Sequence, residues 1–207
     1  MRRILGVILA GGMARRMGGG DKGLKLLGGR PLLEIIIERL RPQVQDTILN
    51  ANGDPARFAA YDLPVAPDLA PDYSGPLAGV LAGMHWAREN QPEITHIVTV
   101  PGDGPFLPRD LVARLEQVCE AMGAELACVA SGGQPNPVVG LWPLALYGDL
   151  HAAVTRDGIR KVDIWTARHR LGVTDFVTDP VDPFFNANTP EELAEAEALW
   201  QRFGANL

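Results

Sequence analysis

The chain is poor in the residues that staple small secreted folds or build metal clusters. Among 207 residues there are two cysteines and four histidines. Cys119 and Cys128 are too few for a disulfide framework and lack metal-ligand spacing, so they read as small buried side chains of a reducing compartment. His85, His96, His151 and His169 are scattered, which argues against a histidine metal centre. Long apolar runs are missing as well; none approaches the roughly 18 residues of a membrane span. Arg2 and Arg3 before Ile4 to Ala10 faintly mimic a signal peptide, but the run is minimal in length and Arg15 and Arg16 follow soon after. A buried parallel strand is the better reading, with the cytoplasm as expected location and no membrane partner. Repeats, low-complexity tracts and linkers are absent, so one domain over 1–207 is expected.

What is present is an ordinary globular composition, 46% hydrophobic and 21% charged, with an uneven charge distribution. Residues 1–41 hold nine Lys or Arg against three acids, a net of +6, so the rest carries −12 to reach the chain's −6. An acidic chain with one cationic loop suits a small polyanion and is a poor candidate for nucleic-acid binding.

Apolar strand-like runs alternate with helical patterns. Ile4 to Ala10, Thr47 to Ala51, Val65-Ala66, Thr95 to Val100, Glu125 to Ala130 and Val138 to Trp142 read as strands. Pro31 to Leu40, Leu77 to Arg88 and Pro108 to Met122 read as helices, two of them opened by proline. After Pro143 the pattern weakens, with helical stretches near Leu144 to Thr155 and Val162 to Ala167. From Pro190 to Phe203 it sharpens again, Thr189 and Glu192 having capping-box spacing. The alternation predicts an α/β fold: a doubly wound, mostly parallel sheet, Rossmann-like, with helices on both faces. Ligands of such sheets bind beyond the carboxyl ends of the strands, where each motif below falls.

The richest motif is residues 9–24, LAGGMARRMGGGDKGL. Gly11, Gly12, Gly18, Gly19 and Gly20 allow backbone N–H groups to approach phosphate oxygens, and Arg15, Arg16 and Lys22 can balance phosphate charge. Its spacing fits neither the Walker loop nor the dinucleotide fingerprint, being longer and more cationic than either. Further on, Pro101-Gly102-Asp103-Gly104-Pro105-Phe106 ends a strand with a carboxylate suited to a divalent ion, unless Asp103 merely stabilises a turn. Asn50 and Asp68 end two other strands, and an amide or carboxylate oxygen there can accept hydrogen bonds from a base; a turn role is the alternative for Asn50. The segment Ser74-Gly75-Pro76-Leu77-Ala78-Gly79 would let a substrate lie against backbone, or would serve close helix packing through Gly75 and Gly79. Asn186 and Asn188, two apart on an extended stretch, point the same way; helix capping competes for Asn188.

These motifs resemble, in order, those of nucleotidyltransferases of the molybdenum cofactor guanylyltransferase (MobA) type: LAGG, R-M-G and D-K-G-L after the first strand, then G-D-x-P-F, then F-x-N-x-N-T-P-E-E-L at Phe185 to Leu193. The resemblance implies a nucleotide site at Leu9, Ala10, Gly11, Gly12, Lys22, Asn50, Asp68 and Asp103, with Mg²⁺ or Mn²⁺ on Asp103. It implies acceptor contacts at Arg160, in Gly158-Ile159-Arg160-Lys161, and at Asn186 and Asn188, which would touch the pterin or the metal shell. A substrate-facing loop is implied at Gln134-Pro135-Asn136-Pro137.

The implied reaction transfers GMP from GTP to molybdenum-molybdopterin and releases pyrophosphate, with Arg16, Lys22 and Asp103 as catalytic residues. The acceptor phosphate attacks directly, so no covalent enzyme nucleophile is needed, and as a monoester it is already largely ionised near neutral pH, which accounts for the lack of a prominent His or Glu base. Cofactor-assembly proteins and molybdoenzymes are the implied partners, and a monomer is the default expectation. A cytidylyltransferase acting on the same pterin or another small phosphate, and a non-catalytic nucleotide-binding protein, remain as alternatives.

Overall fold

A computed structural model of the chain describes residues 2–11, 20–69 and 75–204. Gly12, Arg15, Arg16, Gly18, Gly19 and Ser74, to which the sequence assigns roles, lie outside the described residues.

Seven strands form one sheet in the order β5-β4-β1-β6-β8-β7-β9. They are β1 Ile4–Leu9, β4 Asp46–Asn50, β5 Val65–Ala66, β6 His96–Pro101, β7 Leu126–Ser131, β8 Gln134–Pro143 and β9 Leu171–Phe176. Pairings β4/β5, β1/β4, β1/β6 and β7/β9 are parallel, and β8 runs against both β6 and β7. β1 and β6 are buried on both faces because helices cover both, and their near-continuous aliphatic sequences reflect this. Ile4 and Ile8 face one layer, Leu5 and Val7 the other.

On the first face lie α1 Leu32–Leu40 and α3 Leu111–Met122; on the second lie α2 Pro76–Asn90, α4 Tyr147–Thr155 and α5 Val162–Thr166. The doubly wound, mostly parallel architecture is therefore as expected. α2 packs close to the sheet because of its glycines: a methyl group on Gly83 would lie 2.8 Å from Val7 Cγ2.

A third layer was not foreseen. α6 Pro190–Phe203 covers the outer side of α1, together with a hairpin of β2 Leu26–Leu27 and β3 Arg30–Pro31. This explains why Leu32 and Ile35 are buried along with Leu33, Ile36, Ile37 and Leu40: α1 is an interior helix, apolar nearly all round. The hairpin turns through Gly28 and Gly29, both with positive φ (58° and 78°), as a two-residue turn of that hand demands. Thr189 accepts from Glu192 N at 3.2 Å and Glu192 Oε2 accepts from Thr189 N at 3.0 Å, so the expected capping box starts α6.

Gln134 to Pro137 is strand, not loop, which corrects that expectation. Gln134, Pro135 and Asn136 pair with Ser131, Ala130 and Val129 of β7, a bulge follows between Val129 and Cys128, and pairing with β6 begins only at Gly140. This end of β8 thus has β7 alone as a ladder neighbour, so prolines without an N–H are tolerated on its open side.

Candidate functional site

The chain order reverses at β1, with β4 on one side and β6 on the other. That switch point is where an open α/β sheet splays its loops and leaves a crevice. Ala10 N donates to Asn50 O at 2.8 Å and Gly102 N donates to Leu9 O at 3.0 Å, so the ends of all three strands are locked together. Gly102 is required for this closeness, since a methyl group there would lie 3.1 Å from Leu9 O and 3.2 Å from Ala10 Cα.

At one end of the crevice the short 3-10 turn Lys22–Leu24 faces the loop after β6. Lys22 Nζ donates to Asp103 Oδ2 at 3.1 Å and also to Asn188 Oδ1. Both members of the ion pair are largely covered, with 21% and 14% of their side chains exposed. Ala187 N donates to Asp103 O at 3.0 Å, tying the chain before α6 to the same loop. Asn186 Oδ1 is buried without a hydrogen-bond partner and lies 3.1 Å from where a methyl group on Gly104 would stand. Thr189 carries the helix cap, which leaves the Asn188 side chain free to face Lys22. The cleft lined by Leu9, Ala10, Lys22, Gly23, Gly102 and Asp103 retains about 10 Å³.

At the other end Asn50 and Asp68 meet. Asn50 Nδ2 donates to Ala66 O at 3.1 Å and to Asp68 Oδ1 at 3.0 Å, and Asn52 Nδ2 donates to Asp68 Oδ2 at 2.8 Å. Asp68 N returns a bond to Asn52 Oδ1 at 2.9 Å. The N-terminal turn of α2 closes over this cluster. A methyl group on Gly79 would lie 2.5 Å from Asn50 Oδ1 and 2.6 Å from Leu9 Cδ2, so Gly79 is a close-packing glycine. Gly75 has a different reason to be glycine: it precedes α2 with φ +97°.

Arg160 lies beside the segment that leads into α2. Its Nη1 donates to Val154 O at 2.7 Å and Ile159 O at 3.2 Å, near the C-terminus of α4, while its carbonyl lies 3.7 Å from where a methyl group on Gly75 would stand. A larger cavity, about 380 Å³ between β5 and α2, shares Asp68 with the site but contains neither Lys22 nor Asp103. Convergence of charge, not size, makes the Lys22–Asp103 end the candidate for chemistry.

The oxygens gathered at the first end suit a hard divalent ion. Asp103 Oδ2 and Asn188 Oδ1 already converge on one cation, the lysine ammonium, and Asn186 Oδ1 is an acceptor without a donor. Among the described residues no group of three His, Cys, Asp or Glu gathers anywhere. A single carboxylate with amide oxygens is the pattern of an ion that takes its remaining ligands from a phosphate and water. Cys128 is no part of this chemistry; burial pushes its thiol up to about 11, where it stays protonated.

Sequence comparison places this crevice in a known family. The family described as MobA-like NTP transferase domain matches residues 6–170. The chain belongs to this family. A molybdenum cofactor guanylyltransferase from Bradyrhizobium sp. (strain ORS 278) is 54% identical over 94% of this chain and 92% of its own length. Among solved structures, molybdopterin-guanine dinucleotide biosynthesis protein A from Archaeoglobus fulgidus has a TM-score of 0.74 at 24% identity, covering 96% of this chain and 99% of that one. A Mycobacterium tuberculosis H37Rv protein in complex with manganese has a TM-score of 0.68 at 19% identity, covering 95% and 98%. Both structures share the fold, and the family is one of nucleotidyltransferases.

Two residues at the crevice were given no role from the sequence. Asp21 and Arg57 form an ion pair at 2.8 Å between the glycine-rich segment and the turn Pro55–Tyr61. No local pattern announces a contact across so many residues, so nothing in the sequence pointed to it.

Proposed function

We propose that the chain transfers GMP from GTP to molybdenum-molybdopterin, giving the guanine dinucleotide form of the cofactor and pyrophosphate. The observation that carries this reading is the match, over nearly the whole chain, to relatives named molybdenum cofactor guanylyltransferase. The crevice supplies what such a transfer needs. Asn50 and Asp68 are the proposed guanine contacts, their oxygens being fixed at the ends of β4 and β5. Leu9, Ala10, Gly11 and Gly12 would supply backbone along the nucleotide, with Arg16 and Lys22 as phosphate cations.

Asp103, with Asn188 and Asn186, would hold Mg²⁺, or Mn²⁺ in its place, which when bound spreads the charge of the phosphate oxygens. In this reading Lys22 leaves Asp103 when nucleotide enters and offers its three donors to phosphate oxygens, so that the ion pair seen here is exchanged for two ligand contacts. The acceptor phosphate attacks the α-phosphate of GTP in line, and pyrophosphate departs toward Lys22 and Arg16. No general base is required, because a phosphate monoester with a second pKa of about 6 is already largely ionised near neutrality. Rate enhancement then comes from alignment and from fixed charge at the leaving group. Arg160 would meet the acceptor by exchanging a carbonyl partner at the end of α4 for phosphate.

The whole of 1–207 is taken as one nucleotidyltransferase domain, since α6 closes against α1. A cytoplasmic monomer is proposed, receiving its pterin from cofactor-assembly proteins and delivering product to molybdoenzymes; no helix of the described residues is long and apolar enough to cross a membrane. Pyrophosphate release measured with GTP and with CTP, each with molybdenum-loaded molybdopterin, tests the reading. Release with GTP well above that with CTP supports it; preference for CTP would make the chain a cytidylyltransferase, and release with neither would remove the proposed activity.

A further inference from the structure

Arg57 joins the two ends of the crevice. It sits in the turn Pro55–Tyr61, which is opened by Asp54, whose carboxylate accepts from Ala56 N at 2.9 Å. Every arm of its guanidinium is engaged. Nη2 donates to Asn52 O at 2.6 Å and Nη1 to Asp54 O at 3.1 Å. Nε lies 2.8 Å from Asp21 Oδ2, buried and without the alignment of a hydrogen bond, so this third contact is coulombic. The Phe58 ring lies beneath, 4.7 Å from the guanidinium carbon. Only 16% of the Asp21 side chain and 28% of the Arg57 side chain are exposed.

The contacts on either side give this side chain its meaning. Asn52, whose carbonyl Arg57 holds, clasps Asp68 through its amide. Asp21, whose carboxylate Arg57 neutralises, immediately precedes Lys22, and its carbonyl accepts from Leu24 N at 3.2 Å to close the turn that carries the lysine. One guanidinium therefore links the base end, through Asn52, to the phosphate end, through Asp21. We infer that Arg57 is a positioning residue for the nucleotide: it cancels the Asp21 charge beside the phosphate lysine and fixes the spacing between Asp68 and Lys22. The inference rests on the proposed use of a nucleoside triphosphate. A lysine at 57 would keep the charge but could not hold two carbonyls and a carboxylate at once, because it lacks the planar fork.

The test is a double-mutant cycle on the full chain with Arg57→Met, Asp21→Asn and their combination, and Arg57→Lys beside them. Affinity for a fluorescent GTP analogue, KM and kcat for pyrophosphate release, and thermal midpoint are read for each. Arg57→Met leaves Asp21 uncompensated next to the phosphates, so GTP affinity should fall and KM rise roughly tenfold, with kcat changing less. Asp21→Asn in that background should recover most of the loss, and Arg57→Lys should fall between wild type and Arg57→Met. Equal, independent losses in the two single variants with no recovery in the pair would overturn the inference. So would an Arg57→Met chain that melts earlier yet binds the analogue like wild type. If wild type prefers a CTP analogue, the guanylyl reading fails on its own and the same cycle is read with that nucleotide. Binding of neither analogue would overturn both.

Discussion

At the proposed phosphate end Lys22 and Asp103 neutralise each other across 3.1 Å, whereas at the proposed base end an acid, Asp68, is held by two neutral amides that have no charge to give up. In the proposed function the first arrangement has to be taken apart when a ligand enters, because the ammonium and the carboxylate would each stand in for the other's phosphate or metal partner. The second can receive a base without rearrangement, since a carboxylate has about four lone-pair sites and two amide donors occupy only part of them. In the proposed function, affinity for phosphate and metal would thus be set by exchange of partners, and discrimination between bases by geometry built in advance.

That contrast can be broken most severely at Asp103. Asp103→Ala should lower kcat by roughly a thousandfold, the scale of losing a principal source of charge stabilisation, while leaving the fold intact. Turnover near wild type with Mg²⁺ present would remove the residue from the mechanism. Lys22→Ala should come next, with GTP bound more weakly and kcat/KM down roughly a hundredfold; an unchanged dissociation constant and rate would deny the lysine its phosphate role.

The base end should respond differently. Asp68→Asn replaces an acceptor by a donor facing Asn50 and Asn52, so the preference for GTP over CTP should shrink by roughly ten- to a hundredfold, with a smaller change in kcat for the better substrate. Parallel losses for both nucleotides would mean that Asp68 braces the loop without reading the base.

The smallest effect on activity belongs at the opposite end of the strands, where His96 opens the central strand β6. Burial, with Arg2 nearby adding to it, holds the His96 imidazole down at about 4, against an ordinary value of 6.5. Between those values the unfolded chain binds the proton and the folded chain does not, so stability should fall as pH drops from 6.5 toward 4 and level off below. His96→Gln should flatten that part of the pH-stability curve while kcat at neutral pH stays put; an unaltered acid limb in denaturation would show that another group is responsible.

The sheet was legible because its strands are short aliphatic runs between helical patterns, and β1, β4 and β6 fall within a residue or so of their expected places. β9 escaped because it alternates buried and exposed positions at an edge, where Val173 and Asp175 face out. The β2/β3 hairpin escaped because two-residue strands have no period to detect, although Gly28-Gly29 is itself a turn signal. At Gln134 to Pro137 the family resemblance implied a loop, whereas the segment pairs with β7 as part of β8, whose open side tolerates the prolines.

The crevice was half legible. Lys22, Asp103, Asn50, Asp68, Asn186 and Asn188 each sit on a motif at the end of a strand or ahead of a helix, and the structure gathers them around β1. The partners that organise them are tertiary: Asp103 with Lys22, Arg57 with Asp21, Gly102 against Leu9. Such contacts join segments tens of residues apart, and only packing decides them.

The most direct test of the central claim, that Lys22 and Asp103 part to receive a metal and a triphosphate, is a titration of Mn²⁺ by electron paramagnetic resonance with and without GTP. Wild type should bind Mn²⁺ tightly only with GTP present, and Asp103→Ala should lose that GTP-dependent binding. GTP-dependent Mn²⁺ binding of equal affinity in wild type and Asp103→Ala would contradict it.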